Sequence, residues 1–276
     1  MFMRTLVAGL ASFVFVLSAS AQDGDDSDGH MKEELGVNEY TTPSIAWLLV
    51  ELDKFRPVSM DYVDVKDRDT TYPNRLQTAL HFGSLIGDGF IIVQNERRGD
   101  IQEIGRAILR QAKALGVGDS LARRSNSIYQ LGDKGDWQGV RKELAGAQRD
   151  VEKSMMQLRD EQMAHLIALG GWMKGFWAAA GSTAANYSVA RADALRNLDT
   201  MDYFIDRLDT LHPKLKATDL VTAITSRLKT ARQIVALAVE QDRALAKSDV
   251  TELARLAREM NETARMKVDD SGRIDR

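Results

Sequence analysis

His81, Ser84 and Asp88 follow one another at spacings of three and four, with Gln77 four residues before and Asn95 seven after. A serine, a histidine and a carboxylate are the residue types of a nucleophilic hydrolase. On a helix these spacings put all of them on one face. A mid-helix serine, however, lacks an exposed elbow, and the backbone N–H groups around it are already used, so no oxyanion hole forms. The stripe therefore reads as a polar edge that faces solvent, or as a satisfied buried network. No catalytic residue is assigned from it.

His165 is the second candidate. It follows Glu161 by four, which lets the two hydrogen-bond on one helix face. A metal would need further ligands from other helices, and the paired Glu-x-x-His motif of di-iron bundles is missing. A haem held by His165 or His81 against a methionine would lack a CxxCH attachment, because the chain has no cysteine. An enzyme using His81, Asp88, Glu161 or His165 would require those side chains to converge across two helices. Trp172, Phe176, Trp177 and Tyr187 could line a small-molecule pocket between helices, with His165 or Lys174 fixing the ligand's orientation. The same aromatics would equally serve as core. Asp23, Asp25, Ser27 and Glu34 have the spacing of a calcium loop, but Asp28 stands where the sharp turn needs glycine. The sequence assigns no metal and no cofactor.

These residues need elements to hold them. Gln162 to Ala190 carries a single formal charge, Lys174, with Trp172, Trp177 and the glycines 170, 171, 175 and 181. Leu166, Leu169, Met173, Phe176 and Ala180 recur at helical spacing, and the other faces are apolar too. A helix apolar all round must be covered all round. Lys174 near a bilayer centre would cost ~2.5–3.5 kcal/mol, so cover by protein is the better reading. Asn74 to Glu96 is a second low-charge helix. Its Gly83 and Gly87 mark a close crossing, and the expected partners are Gly171 and Gly175.

A helix start is repeated along the chain. Gly99-Asp100-Ile101, Gly135-Asp136-Trp137 and Ser248-Asp249-Val250 each put a small residue and then an aspartate ahead of an apolar face. In each the aspartate is expected to cap the helix. The turn resembles that between the two helices of a tetratricopeptide repeat, over about ten residues per copy, without that family's Leu-Gly pair or closing proline. The resemblance implies helical hairpins.

The remaining elements follow in order. Thr42-Pro43 opens a helix that Pro57 ends, and Val58 to Tyr72 is a long loop with four aspartates, read as solvated. Ile101–Leu115 and Asp119–Leu131 are helices closed by Gly116 and Gly132. The apolar line from Asp136 runs through to about Ala180, either as one helix bent at Gly170-Gly171 or as two parted near Arg159-Asp160, with the single helix preferred. Tyr187–Leu211 is an amphipathic helix whose Asp199, Asp202, Asp206 and Asp209 form a solvated stripe, stopped by Pro213. Asp219–Lys247, capped by Thr218, and Asp249 to about Lys267 complete the set.

The expected fold is all-α, an antiparallel bundle of helical hairpins around the glycine-containing apolar helix. Residues 42–267 form one domain and 268–276 a frayed tail. At the other end, Arg4, the apolar run Leu6–Leu17 and Ala19-Ser20-Ala21 have the form of a signal peptide cleaved after Ala21, followed by an acidic leader over 22–41. The whole chain has 37 basic and 40 acidic residues; losing Arg4 leaves 36 against 40, which gives no attraction for nucleic acid. An exported chain without cysteine must be stabilised by its core, and about 255 residues suffice for one. The functional expectation is a non-enzymatic helical protein of the periplasm or exterior with a protein partner in the cell envelope. The mature chain is expected to have no transmembrane segment.

Overall fold

The computed structural model describes residues 50–65, 68–269 and 273–274. The expected signal peptide, acidic leader, calcium-like spacing and start of the first helix lie outside them. The described chain is predominantly helical, with no strand among its described residues beyond one isolated bridge, Val268 to Ile274. After a helical end at residues 50–53 and a single 3-10 turn, Met60–Tyr62, the helices are α1 (Arg75–Gln94), α2 (Arg98–Ala114), α3 (Gly118–Lys134), α4 (Trp137–Gln157) and α5 (Glu161–Ala185). They continue as α6 (Val189–Asp193), α7 (Leu198–Asp209), α8 (Pro213–Lys216), α9 (Asp219–Glu240) and α10 (Lys247–Arg265).

Helix α5 is buried around nearly its whole circumference between Met163 and Thr183. Its main partners are α1 and α10. Arg75 bonds Asp160 at the two N-termini, Leu80 meets Gly170, and Lys174 meets Asp88, so α1 and α5 run in the same direction. Helix α10 runs against both. Its Asn261 side chain donates to the Met173 carbonyl at 2.9 Å, and Gln77 of α1 donates to the Ala264 and Met266 carbonyls at its C-terminal end. Helix α1 has the length and apolarity of a membrane span, but it is 94% buried inside this protein.

The α1–α5 contact depends on missing side chains. A Cβ on Gly83 would run into the Ile167 carbonyl oxygen and the Gly171 amide, and one on Gly170 into the Leu80 carbonyl oxygen. The backbones themselves touch there. Gly87 rests against the Lys174 stem, and Gly175 faces away, toward Leu52. The close pairs are thus Gly83 and Gly87 with Gly170 and Gly171; the expected role of Gly175 in the crossing is not met.

Several expected boundaries move, each for a local reason. The line from Asp136 is two helices, α4 and α5, parted where Arg159 takes a left-handed φ of 54°. A straight continuation would have carried the apolar segment away from α1; the turn lets Asp160 bond Arg75 and brings α5 alongside. Tyr187–Leu211 breaks into α6 and α7, because Ser188 and Asn197 turn their side chains onto the backbone amides of Arg191 and Thr200. Pro213 opens the short α8, where its missing N–H is harmless. Helix α9 ends at Glu240, just before Asp242 takes a φ of 47°. Helix α3 runs past Gly132 to Lys134 and is closed by Gly135 at φ 74°. Of the three repeated aspartates only Asp136 is an N-cap, accepting from Gly139 N at 2.9 Å. Asp249 reaches back to the Ala246 amide from the first turn, and Asp100 bonds Arg97 instead. At the tail, Val268 and Ile274 pair, where fraying was expected.

The glycines give opposite predictions. Gly83→Ala or Gly170→Ala must push two backbones apart and should destabilise by about 3 kcal/mol or more in denaturant melts. Gly89→Ala puts its Cβ 3.7 Å from Ile108 Cδ1, an ordinary contact, and should stabilise by about 1 kcal/mol through helix propensity.

Candidate functional site

The polar stripe of α1 turns inward. Gln77, His81 and Asp88 are buried and Ser84 is half-buried, so the solvent-facing alternative is set aside. Asp88 (0% exposed) lies opposite Lys174 (1% exposed) across the α1–α5 crossing, with Oδ1 3.0 Å from Nζ. Lys174 also donates to the Tyr62 carbonyl at 3.1 Å and stands 5.1 Å from the Trp177 ring centre. The second Asp88 oxygen accepts from the Asp64 amide at 3.2 Å. Lys174, charged in the middle of an apolar helix, thereby has a counter-ion and a carbonyl acceptor, while Asp88 Oδ1 has the ion pair but no hydrogen bond among the described residues.

The loop over 58–72 supplies half of these partners; among its described residues it is solvated on one side, with Asp61, Val65 and Asp69 exposed, and packed on the other. Val58, Val63 and Arg68 are buried. Asp64 forms an ion pair with Arg265 of α10. Gln111 and Asn95 donate to the Thr70 and Val58 carbonyls at 2.8 and 3.1 Å. The segment is a strap across α1, α2 and α10. Its Tyr62 ring meets Trp177 edge-on at 5.2 Å, and the Tyr62 hydroxyl fills the place a Cβ on Gly181 would take.

The electrostatics follow from burial. Desolvation pushes the Asp88 carboxyl above its ordinary range, while Lys174 and Arg68 pull it back. His81 is pushed down to about 4, first by burial and then by the Lys174 charge. Its ring sits edge-on to Tyr72 at 5.2 Å between centres. His165 is also lowered by burial, with Arg207 adding to the effect and Glu161 opposing it. Its Nδ1 pairs with the Tyr203 hydroxyl at 2.9 Å. The expected Glu161 bond is replaced by this one.

The aromatic candidates do not converge. Trp172 stacks on Phe176 at 4.9 Å and leans on Phe204 at 5.3 Å. Trp177 lies on the Tyr62 side, and the Tyr187 hydroxyl donates to the Leu245 carbonyl at 2.8 Å. Lys174 is bound to Asp88 and so does not face the Trp172–Phe176 stack as an orienting group. Beside that stack, Leu52, Phe55, Gly175 and Met201 leave a cavity of about 50 Å³. That space suits a water, well below the 300–1,000 Å³ of a typical ligand site. A second apolar cavity of about 30 Å³ lies among α1, α2, α3 and α4 beside Gly89. No cluster of three His, Asp or Glu side chains that could hold a metal occurs among the described residues. The aspartate stripe of α7 lies at the surface, where Asp202 pairs with Arg232, and Asp209 with Lys216 and Lys229. Sequence reasoning missed Arg68, Asp64 and Arg265, which sit in a loop and at a helix end with no periodic pattern to flag them.

Two outcomes test this centre. Asp88→Ala strands a buried ammonium and should cost about 3–5 kcal/mol, whereas Asp88→Leu with Lys174→Met should recover most of that loss in equilibrium melts. For pH, the folded His81 binds its proton only near 4 while the unfolded one binds near 6.5. Stability therefore falls as pH drops through this window, by up to about 3 kcal/mol from this group. Asp88, raised in the fold, acts with the opposite sign. The measurement is the difference between wild type and His81→Leu over that range, with the variant showing the weaker acid sensitivity.

Compared with known proteins, the chain matches no family model, no curated protein and no solved structure.

Proposed function

We propose that this chain is an exported, non-enzymatic helical protein of the cell envelope. In this reading it is a bundle of helices around α5, with α1 parallel and α10 antiparallel to it, that holds its outer surface rigid for a protein partner. The observation that supports it is the use to which the chemically capable centre is put. Lys174 pairs with Asp88 and donates to the Tyr62 carbonyl in the interior, and the aromatics beside them pack on one another. Groups engaged in this way hold helices together, which leaves the surface as the working part. Export rests on Arg4, the Leu6–Leu17 run and Ala19-Ser20-Ala21.

The test is capture from envelope extract on the immobilised mature chain, with an Asp88→Ala column as the loosened control. One reproducible partner held by the native column and lost from the control is the expected result. If neither column retains a partner, the reading fails. A parallel thermal-shift series with apolar ligands addresses the pocket beside Trp172. A saturable shift abolished by Trp172→Ala would move the assignment to a small-molecule binder. Expression in the native host should yield a chain starting at Gln22 by intact mass; a retained Met1 would remove the export half of the proposal.

A further inference from the structure

Arg68 is 2% exposed, yet it is only half used. Its Nη1 donates to Glu103 Oε2 of α2 at 2.8 Å. Its Nε and Nη2 are buried and have no acceptor among the described residues. These two nitrogens share one edge of the guanidinium plane, so their N–H bonds point the same way, in parallel. That edge is the fork which takes two oxygens of one anion at once. Buried donors left without acceptors are unfavourable, and a whole fork of them on a charged group is more so.

The surrounding charges leave that edge open. Arg68 acts electrostatically on Asp88, which places its guanidinium close to the Asp88–Lys174 pair. The local cations are Arg68, Lys174 and Arg265; the local anions are Asp88, Asp64 and Glu103. Glu103 is 54% exposed and so partly screened by water. Formally the cluster balances, three cations to three anions, but Glu103 takes only the Nη1 side of Arg68 and faces water, so the Nε–Nη2 edge has no acceptor of its own among the described residues. His81, near enough for Lys174 to depress its protonation, adds no negative charge.

We infer that the Nε–Nη2 edge of Arg68 is a binding site for a small oxyanion, a carboxylate or a phosphate group, held at the strap where Arg68 reaches α2. Glu103 fixes the guanidinium from its other side, so the fork is oriented before the anion arrives. The inference goes beyond partner binding and does not depend on it.

The experiment is thermal unfolding of the full mature chain titrated with inorganic phosphate and, separately, with acetate. Both are run against chloride at matched ionic strength. A saturable rise in Tm of a few degrees with either oxyanion, absent with chloride, is the expected result; which of the two acts names the ligand class. Arg68→Lys keeps the charge but loses the fork and should abolish the rise. Glu103→Gln removes a competing negative charge from an exposed position and should bring the response to lower anion concentration, several-fold. If wild type shows no saturable oxyanion response, or if Arg68→Lys responds as wild type does, the site does not exist. Should Arg68→Lys fail to fold, the Glu103→Gln titration decides: an unchanged or weakened response overturns the proposal.

Discussion

Two helices that touch through bare backbone set the terms for everything around them. At Gly83 and Gly170 the α1 and α5 main chains approach with no side chain between them. That distance excludes water from the whole seam. Asp88 and Lys174, one turn further along, then have no solvent to fall back on, and each must be neutralised by the other or by the backbone. The ion pair is a consequence of the close approach, and it fixes the register of the approach in turn. Sliding α5 by one residue along α1 would lift Lys174 off Asp88 and put side chains where only glycine fits.

The strap is the next consequence. Asp88 has more lone pairs than Lys174 can satisfy, and Lys174 more protons than Asp88 can accept. The Asp64 amide and the Tyr62 carbonyl make up the difference. A loop that carries partners for a buried pair is tied to the core, as its buried Val58 and Val63 and its bonds to Asn95 and Gln111 show. Asp64 then passes the connection on to Arg265 at the end of α10. The third helix of the core is thus joined to the first two by packing along its length and by a charge at its C-terminal end.

Much of this was legible in the sequence, for reasons tied to particular residues. A run with one charge and four glycines has few alternatives to a covered helix, and Gly83 with Gly87 announced a close neighbour. The cap at Thr218 was readable because a short polar side chain before an apolar period has one common use. What escaped was set by tertiary context. Arg159 enters the left-handed region although nothing in its type demands it, because the turn there is imposed by where α5 must go. Gly175 looked like the companion of Gly171 by spacing, yet its position on the circumference, seen only with both helices in place, turns it toward Leu52. The site was half legible: the stripe containing His81 and Asp88 was visible on α1, and Lys174 on α5. Their meeting required knowing that the two helices run in the same direction.

One pattern recurs on the two helices. Asp88-Gly89-Phe90 on α1 and Lys174-Gly175-Phe176 on α5 are the same arrangement with the charge reversed. The two helices run in the same direction, so the two copies of the arrangement do so as well. Asp88 lies opposite Lys174, both phenylalanines are buried, and both glycines turn outward, each beside one of the two small cavities. Two aspartates or two lysines at these positions would be buried together with nothing to offset them. Opposite charges satisfy the arrangement and, being unlike, also distinguish the two helices. A polar pair in an apolar seam is weak as a source of stability, but here it selects one register and one pairing out of several that glycine and alanine alone would permit.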